Sequence, residues 1–244
     1  MTACHDLLYG VLKIIQPEEG RGLRVNVDTI LLAHFTRPRR GERILEIGCA
    51  HGAISLILAK RGFAVEGIDI QPHLIELAVE NAKLNGLDAK FRTADIRCYK
   101  QIAEAQSFDR IVVNPPYDEA ARSRPSPKEA QAAAMHGACC ALSDIIEASH
   151  YLLKNRGRLD IVMREDRIGE LFELLGRAKT PPKIMRCVHP KPHERASVVL
   201  VEAMRSGRHG IVIEPPLFIT AEDGEETPEL KEAYVIKEDA QCRS

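Results

Sequence analysis

At 244 residues, 45% of them hydrophobic, the chain is long enough to bury a sizeable core as one large domain or two small ones. A formal net charge of -1 gives no global sign of a polyanionic partner, and no apolar stretch approaches the roughly 20 residues that cross a bilayer. The seven cysteines form no Cys-x-x-Cys pair and Met1 to Asp6 lacks a signal-peptide layout, which predicts a cytoplasmic protein with reduced thiols and neither a disulfide framework nor a thiolate zinc site.

In chain order, Val11–Gln16 and Leu23–Val27 are expected to pair as a hairpin across Pro17 to Gly22, and Asp28 to cap a short apolar helix over Thr29–Phe35. From Arg43 onward apolar runs alternate with helical patterns. The predicted strands are Arg43–Ile47, Ala64–Ile68, Ala89–Thr93, Phe108–Val113, Arg158–Met163, Lys183–Val188 and Ser197–Glu202. The predicted helices are Ile54–Arg61, Pro72–Asn85, Leu142–Lys154 and Arg167–Gly176, with Pro72 in a tolerated first-turn position and Asn85-Gly86 as a stop. This order predicts an α/β, Rossmann-like, doubly wound sheet of seven mostly parallel strands with an N-terminal β-hairpin extension. Residues 1–40 are expected to form the extension and residues 41–244 the main domain.

The first strand breaks into the small-residue turn Gly48-Cys49-Ala50-His51-Gly52, where backbone N–H groups can meet a ligand at the carboxyl end of the sheet. Asp69 ends the second strand 21 residues after Gly48, the spacing at which a carboxylate takes both ribose hydroxyls of a nucleoside cofactor. NAD and S-adenosylmethionine both satisfy that spacing, although the turn is not the Gly-x-Gly-x-x-Gly that a pyrophosphate favours. Asp95, after the third strand, is a candidate acceptor for an adenine amino group.

The fourth strand runs into Asn114-Pro115-Pro116-Tyr117. Consecutive prolines stop the ladder and stiffen the loop, so the Asn114 amide oxygen and the Pro115 carbonyl become fixed acceptors. Two such acceptors can bind both hydrogens of an exocyclic amine and favour a pyramidal nitrogen, while Tyr117 stacks on the ring for in-line attack on a sulfonium methyl. The chemistry needs no metal. His189 and His193 have a metal-like spacing, but Pro190 and Pro192 forbid the helix that would align them.

These motifs are where the chain resembles the class I S-adenosylmethionine-dependent methyltransferases, and within them the tRNA adenine N6-methyltransferases that modify valine tRNA beside the anticodon. The resemblance rests on Gly22–Phe35, Glu46–Gly52, Gly67–Leu87, Asn114–Tyr117, Val188-His189-Pro190 and Pro215-Pro216-Leu217, in that order. It implies S-adenosylmethionine as cofactor and RNA, tRNA in particular, as partner. Glu46, Gly48, Cys49 and Gly52 would line the methionine side, with Asp69 and Ile70 at the ribose and Asp95 and Ile96 at the adenine. Asn26 and Asp28 would line the site from an N-terminal segment lying over the cofactor, and Asn114, Pro115, Pro116 and Tyr117 would be catalytic, with Asn114 also contacting the cofactor.

Two departures stand out: Ala50 replaces the usual middle glycine, which costs roughly 1–2 kcal/mol if that residue takes positive φ, and Ala134-Met135-His136-Gly137 lacks the family's arginine and glutamate. Two other functions compete. Protein glutamine N5-methylation uses the same four-residue loop but is expected to carry a larger N-terminal helical domain, and a non-catalytic subunit would not need an intact loop. A monomer is expected.

Cations concentrated between Arg177 and Arg208, and the loop Asp118–Lys128, are candidate phosphate contacts. The acidic segment after Thr220 is expected to be a solvated end, and Cys139-Cys140 to fill core.

Overall fold

The computed structural model describes residues 2–17, 24–115 and 140–236. It opens with an antiparallel hairpin whose partners differ from the expected ones. Strand β1 (Thr2–Leu7) pairs with β2 (Leu12–Pro17), from Thr2 opposite Pro17 to Leu7 opposite Leu12. Residues 24–26 form no strand, Leu23 lies outside the described residues, and Val27 begins helix α1 (Val27–Phe35). The reason is local: Asn26, in extended conformation, accepts the Thr29 N–H at 3.0 Å and so caps a helix where a strand was expected. Asp28 is therefore a first-turn residue that favours the positive helix end, and not the cap.

The hairpin is fastened to the rest of the chain by side-chain amides acting as a short β-ladder. Asn85 exchanges bonds with Lys13 (N–H to Oδ1 2.8 Å, Nδ2 to carbonyl 2.7 Å), and Asn81 does the same with Ile15 (2.6 and 3.0 Å). Both amides sit on helix α3 (Pro72–Leu84) or its C-cap, four residues apart and so on one face.

The seven expected strands form the main sheet: β3 (Arg43–Ile47), β4 (Ala64–Asp69), β5 (Ala89–Thr93), β6 (Phe108–Val113), β7 (Leu153–Arg164), β8 (Pro182–His189) and β9 (Val198–Met204). Two short strands, β10 (Val212–Ile213) and β11 (Leu217–Phe218), add to the outer side of β8. The order is β10-β8-β9-β7-β6-β3-β4-β5, and β9 alone runs antiparallel to its neighbours. Successive residues alternate between two buried clusters: Ile44 and Val112 face one, and Leu45, Ile47, Ile111 and Val113 face the other. A sheet dry on both faces needs such continuous apolar strands. Helices α1, α2 (Ala53–Lys60) and α7 (Pro228–Ala233), with the hairpin, supply the first cluster. The short α4 (Tyr99–Ile102), α5 (Leu142–Leu152) and α6 (Ile168–Arg177) supply the second.

One buried guanidinium joins the sheet to the linker that follows α1. Arg110, 2% exposed, bonds to Asp160 at 2.6 Å, to Glu202 at 3.2 Å, to Glu42 at 3.0 Å and to the Arg37 carbonyl at 3.0 Å. Burial works against its charge, but Asp160 and Glu42 outweigh burial and raise its pKa. Burial lifts the Asp160 carboxyl to about 6 even beside Arg110.

Candidate active site

The switch point of this sheet lies between β3 and β6: the chain leaves β3 toward β4 and returns on the other side as β6. Loops after neighbouring parallel strands diverge there and open a crevice at the carboxyl ends. Glu46 lies near the end of β3 and Gly48 to Gly52 follow it, Asp69 ends β4 with Ile70 next, Asp95 and Ile96 follow β5, and Asn114 and Pro115 follow β6, so one edge gathers these residues. Pro116, Tyr117, the loop 118–128, Ala134 to Gly137 and Cys139 lie outside the described residues.

The loop after β3 is tightly built. Gly48 (φ 71°), Ala50 (φ 47°) and Gly52 (φ 88°) all take positive φ, which folds the backbone back on itself. The N–H groups of Gly48 and Cys49 donate to the Ile68 carbonyl at 2.8 and 2.9 Å, and Ala50 N–H donates to Asp69 Oδ2 at 2.9 Å. A Cβ on Gly48 would meet nothing within 4 Å, whereas one on Gly52 would lie 2.9 Å from Phe91. The loop thus presents open space at Gly48 and is sealed at Gly52.

Asp69, 7% exposed, also accepts the Gln71 N–H at 2.9 Å through Oδ1. Each of its oxygens has committed one lone pair and keeps another, enough to accept a ribose hydroxyl pair while holding two loops together. Ile70 beside it is 42% exposed, an apolar surface at the mouth of the crevice. Asp95 caps the turn that follows by accepting Arg97 N–H at 3.0 Å, and its carboxylate also binds the Arg97 guanidinium at 2.6–3.0 Å. The Arg97 hydrogen bond holds the Asp95 carboxyl below its ordinary range. Both Asp95 oxygens are thus engaged by Arg97.

Glu46 is 3% exposed, and its Oε2 accepts both the N–H and the hydroxyl of Ser55 in the first turn of α2. Burial raises its pKa to about 8 against those two bonds, with Asp69 adding to the rise. Burial likewise pushes the Cys49 thiol well up, so it is no nucleophile at neutral pH.

Two residues absent from the sequence-level site come into contact with it. Asn81, fully buried, donates to the His51 carbonyl at 3.0 Å and so links the hairpin to the β3 loop. Thr29, 8% exposed, donates its hydroxyl to Asn26 Oδ1 at 2.9 Å and accepts Asn114 Nδ2 at 3.4 Å. Neither leaves a local sequence signal, because Asn81 reaches His51 across 30 positions and Thr29 reaches Asn114 across 85.

The basic segment is not one patch. Lys183 binds the carbonyls of Arg208 and Gly210 at 3.0 and 2.7 Å, and Arg186 binds the Pro215 carbonyl at 2.9 Å and pairs with Glu229. Arg177 pairs with Glu173, and Arg205 bonds to the Leu153 carbonyl. Lys191 and Arg195 remain exposed on the β8–β9 connection, at the same edge as Asn114. His189 bonds to the Glu194 carbonyl at 2.8 Å, and exposed His193 lies 3.3 Å from Glu222. Among the described residues no group of three His, Cys, Asp or Glu is arranged to hold a metal, and no helix is long and apolar enough to cross a membrane.

A doubly wound sheet with one antiparallel strand and its strand-end loops gathered at the switch point is an architecture of cofactor-dependent transferases. Residues 38–177 match the family described as a methyltransferase domain, and the chain belongs to that family. The cofactor that goes with this family is S-adenosylmethionine. A tRNA1(Val) (adenine(37)-N6)-methyltransferase of Parabacteroides distasonis is 26% identical over 182 residues, 74% of this chain and 76% of that protein. A putative protein N5-glutamine methyltransferase of Methanocaldococcus jannaschii is 38% identical over 91 residues, which cover 37% of this chain and only 44% of that protein. A tRNA (uracil(54)-C(5))-methyltransferase of Pyrococcus horikoshii is 41% identical over 76 residues, covering 31% of this chain and 18% of that protein. Among solved structures, a predicted O-methyltransferase from Agrobacterium tumefaciens superposes with a TM-score of 0.67 at 19% identity, covering 86% of this chain and 97% of that one.

Proposed function

We propose that this methyltransferase acts on the exocyclic N6 of an adenine in RNA, with tRNA as the RNA class. The observation that carries the reading is the position of Asn114-Pro115 at the end of β6, one strand from the β3 loop, a separation of about 4.8 Å between strands. When bound, S-adenosylmethionine supplies an electrophilic methyl group on sulfur. Asp69 and Ile70 hold its ribose side, Asp95 and Ile96 its adenine, and Gly48, Cys49 and Gly52 its methionine side, beneath Glu46. Asn114 Oδ1 and the Pro115 carbonyl accept the two amine hydrogens of the substrate, which turns the nitrogen lone pair toward the methyl carbon. Pro116 stiffens the loop and Tyr117 stacks on the base. Bound there, the cofactor would give its methyl group to that nitrogen and keep the bonding pair on sulfur, and the surplus amine proton would leave to water. In this reading residues 1–40, Asn26 and Asp28 included, cover the cofactor site of the domain 41–244, which works as a monomer.

The Parabacteroides relative supports the adenine reading because its similarity extends over three quarters of both chains. Glutamine N5-methylation is the second reading, favoured by the 38% identity to the Methanocaldococcus protein, but that similarity covers only 37% of this chain. Incubation with labelled methyl donor and total tRNA, then total protein, separates the two. Label in N6-methyladenine is the expected outcome, and label in protein glutamine alone overturns it. Asn114→Ala should lower single-turnover transfer on the order of 10²–10³-fold, as loss of a preorganised polar group does elsewhere. Near wild-type rates would remove Asn114 from the chemistry.

A further inference from the structure

Asn114 has a side-chain amide with an acceptor end and a donor end, and a catalytic acceptor works only if the oxygen faces the substrate. Three hydrogen bonds outside the crevice decide which end that is. The backbone N–H of Thr29 can only donate, so the Asn26 atom that receives it at 3.0 Å is an oxygen. The Thr29 hydroxyl lies 2.9 Å from that same oxygen and donates its single proton there. Its lone pairs then face Asn114, and the Asn114 atom 3.4 Å away must be the donor Nδ2. A flipped amide would set Oδ1 against a hydroxyl whose proton is already committed. The relay therefore has a direction, from a backbone donor to the amide of Asn114, and leaves Oδ1 as the end that Thr29 does not engage.

The helix that carries the relay is held at its other end as well. Arg61 Nη1 binds the carbonyls of Ala33 and Thr36 at 2.9 and 3.0 Å, and Arg110 binds the carbonyl of Arg37. Thr29 is 8% exposed, so water competes little for its hydroxyl. The 3.4 Å contact is long, as catalytic hydrogen bonds often are before substrate tightens them. We infer that Thr29 is a positioning residue: through its hydroxyl, the N-terminal segment sets the orientation of the Asn114 amide for methyl transfer. The inference rests on the proposed role of Asn114 and extends it to a residue that touches neither substrate nor cofactor.

Thr29→Val keeps the shape and removes the hydroxyl, and Thr29→Ser restores it. In single-turnover transfer to RNA, Thr29→Val should be slower on the order of 5–10-fold, the worth of one neutral hydrogen bond. Cofactor affinity and RNA KM should be unchanged, and Thr29→Ser should recover most of the rate. An undiminished rate in Thr29→Val, or an equal loss in Thr29→Ser, overturns the inference. Thr29→Ala replaces the valine variant if that fails to fold. A second readout needs no substrate: the Asn114 side-chain amide in 15N spectra should shift and exchange faster in Thr29→Val and return in Thr29→Ser. If wild-type protein methylates no RNA, the adenine reading fails while this spectrum still decides the relay, and an unchanged amide signal there rejects it.

Discussion

Ala50 shows what a single methyl group costs in a cofactor loop. Its φ of 47° lies in the left-handed region, where a side chain is strained by roughly 1–2 kcal/mol, and the bond from its N–H to Asp69 holds it there. Ala50→Gly relieves that strain but loosens the unfolded chain by about 0.4–1 kcal/mol, so a net gain between about zero and about 1.6 kcal/mol is expected. For a chain of this size that corresponds to a rise in Tm of roughly 3–6 °C at most. Calorimetry should find Ala50→Gly at or above wild type and Ala50→Val below it, and the reverse order would mean that the residue is unstrained. Glu46 makes a second residue-scale claim. Its folded pKa of about 8 stands above its ordinary 4.5 because burial outweighs the two Ser55 bonds. Between those values the folded state holds a proton that the unfolded chain has released, so this group makes stability fall as pH rises through the window. Glu46→Gln keeps an oxygen for Ser55 and cannot titrate. Urea midpoints from pH 5 to 8 should show wild type losing ground to Glu46→Gln as pH increases, and parallel curves would refute the buried neutral carboxyl.

At the scale of elements, the hairpin and α3 behave as one unit because two asparagine amides complete the edge of β2. A free strand edge leaves N–H and C=O groups unpaired, and Asn81 and Asn85 satisfy those of Ile15 and Lys13. Asn81 is fully buried and also serves the His51 carbonyl, so its removal strands three backbone groups. Asn81→Ala should cost on the order of 1–3 kcal/mol or more, against a smaller loss for Asn85→Ala, whose bonds to Lys13 are exposed. Hydrogen exchange in Asn81→Ala should lose protection at Ile15 and in the β3 loop together, with weaker cofactor binding by calorimetry. Faster exchange at Ile15 alone would show that the hairpin and the loop are uncoupled.

For the molecule as a whole, charge serves mostly to hold the fold. Arg110, Lys183 and Arg186 are each bonded to carbonyls or carboxylates of distant elements, so their sequence neighbourhood says little about partners. Lys183 and Arg186 tie carbonyls of later segments to β8, and a charge reversal at either would therefore confuse stability with RNA affinity. Lys191 and Arg195, exposed at the edge that carries Asn114, are the cleaner test. Reversing both to glutamate should weaken tRNA binding and reduce the slope of log affinity against log salt by about 1 for each phosphate that is no longer neutralised, with Tm unchanged. An unaltered slope would make the loop a solvated surface only.

The residues by themselves determined the sheet. The runs expected at Arg43–Ile47, Phe108–Val113 and Ser197–Glu202 are mostly apolar and of strand length, and each falls on a strand of the sheet. They also determined that Gly48, Asp69, Asp95 and Asn114 would share one edge, since each follows a parallel strand and a doubly wound topology brings such ends together. Tertiary structure alone decided the rest. The partner of Leu12–Pro17 is Thr2–Leu7 because Asn26 caps a helix just where a strand pattern continues, and a single side-chain bond outweighs a weak propensity. Which cations face solvent, why Ala50 is strained, and how Thr29 reaches Asn114 across 85 positions all depend on contacts between residues far apart in the chain, which no local pattern encodes.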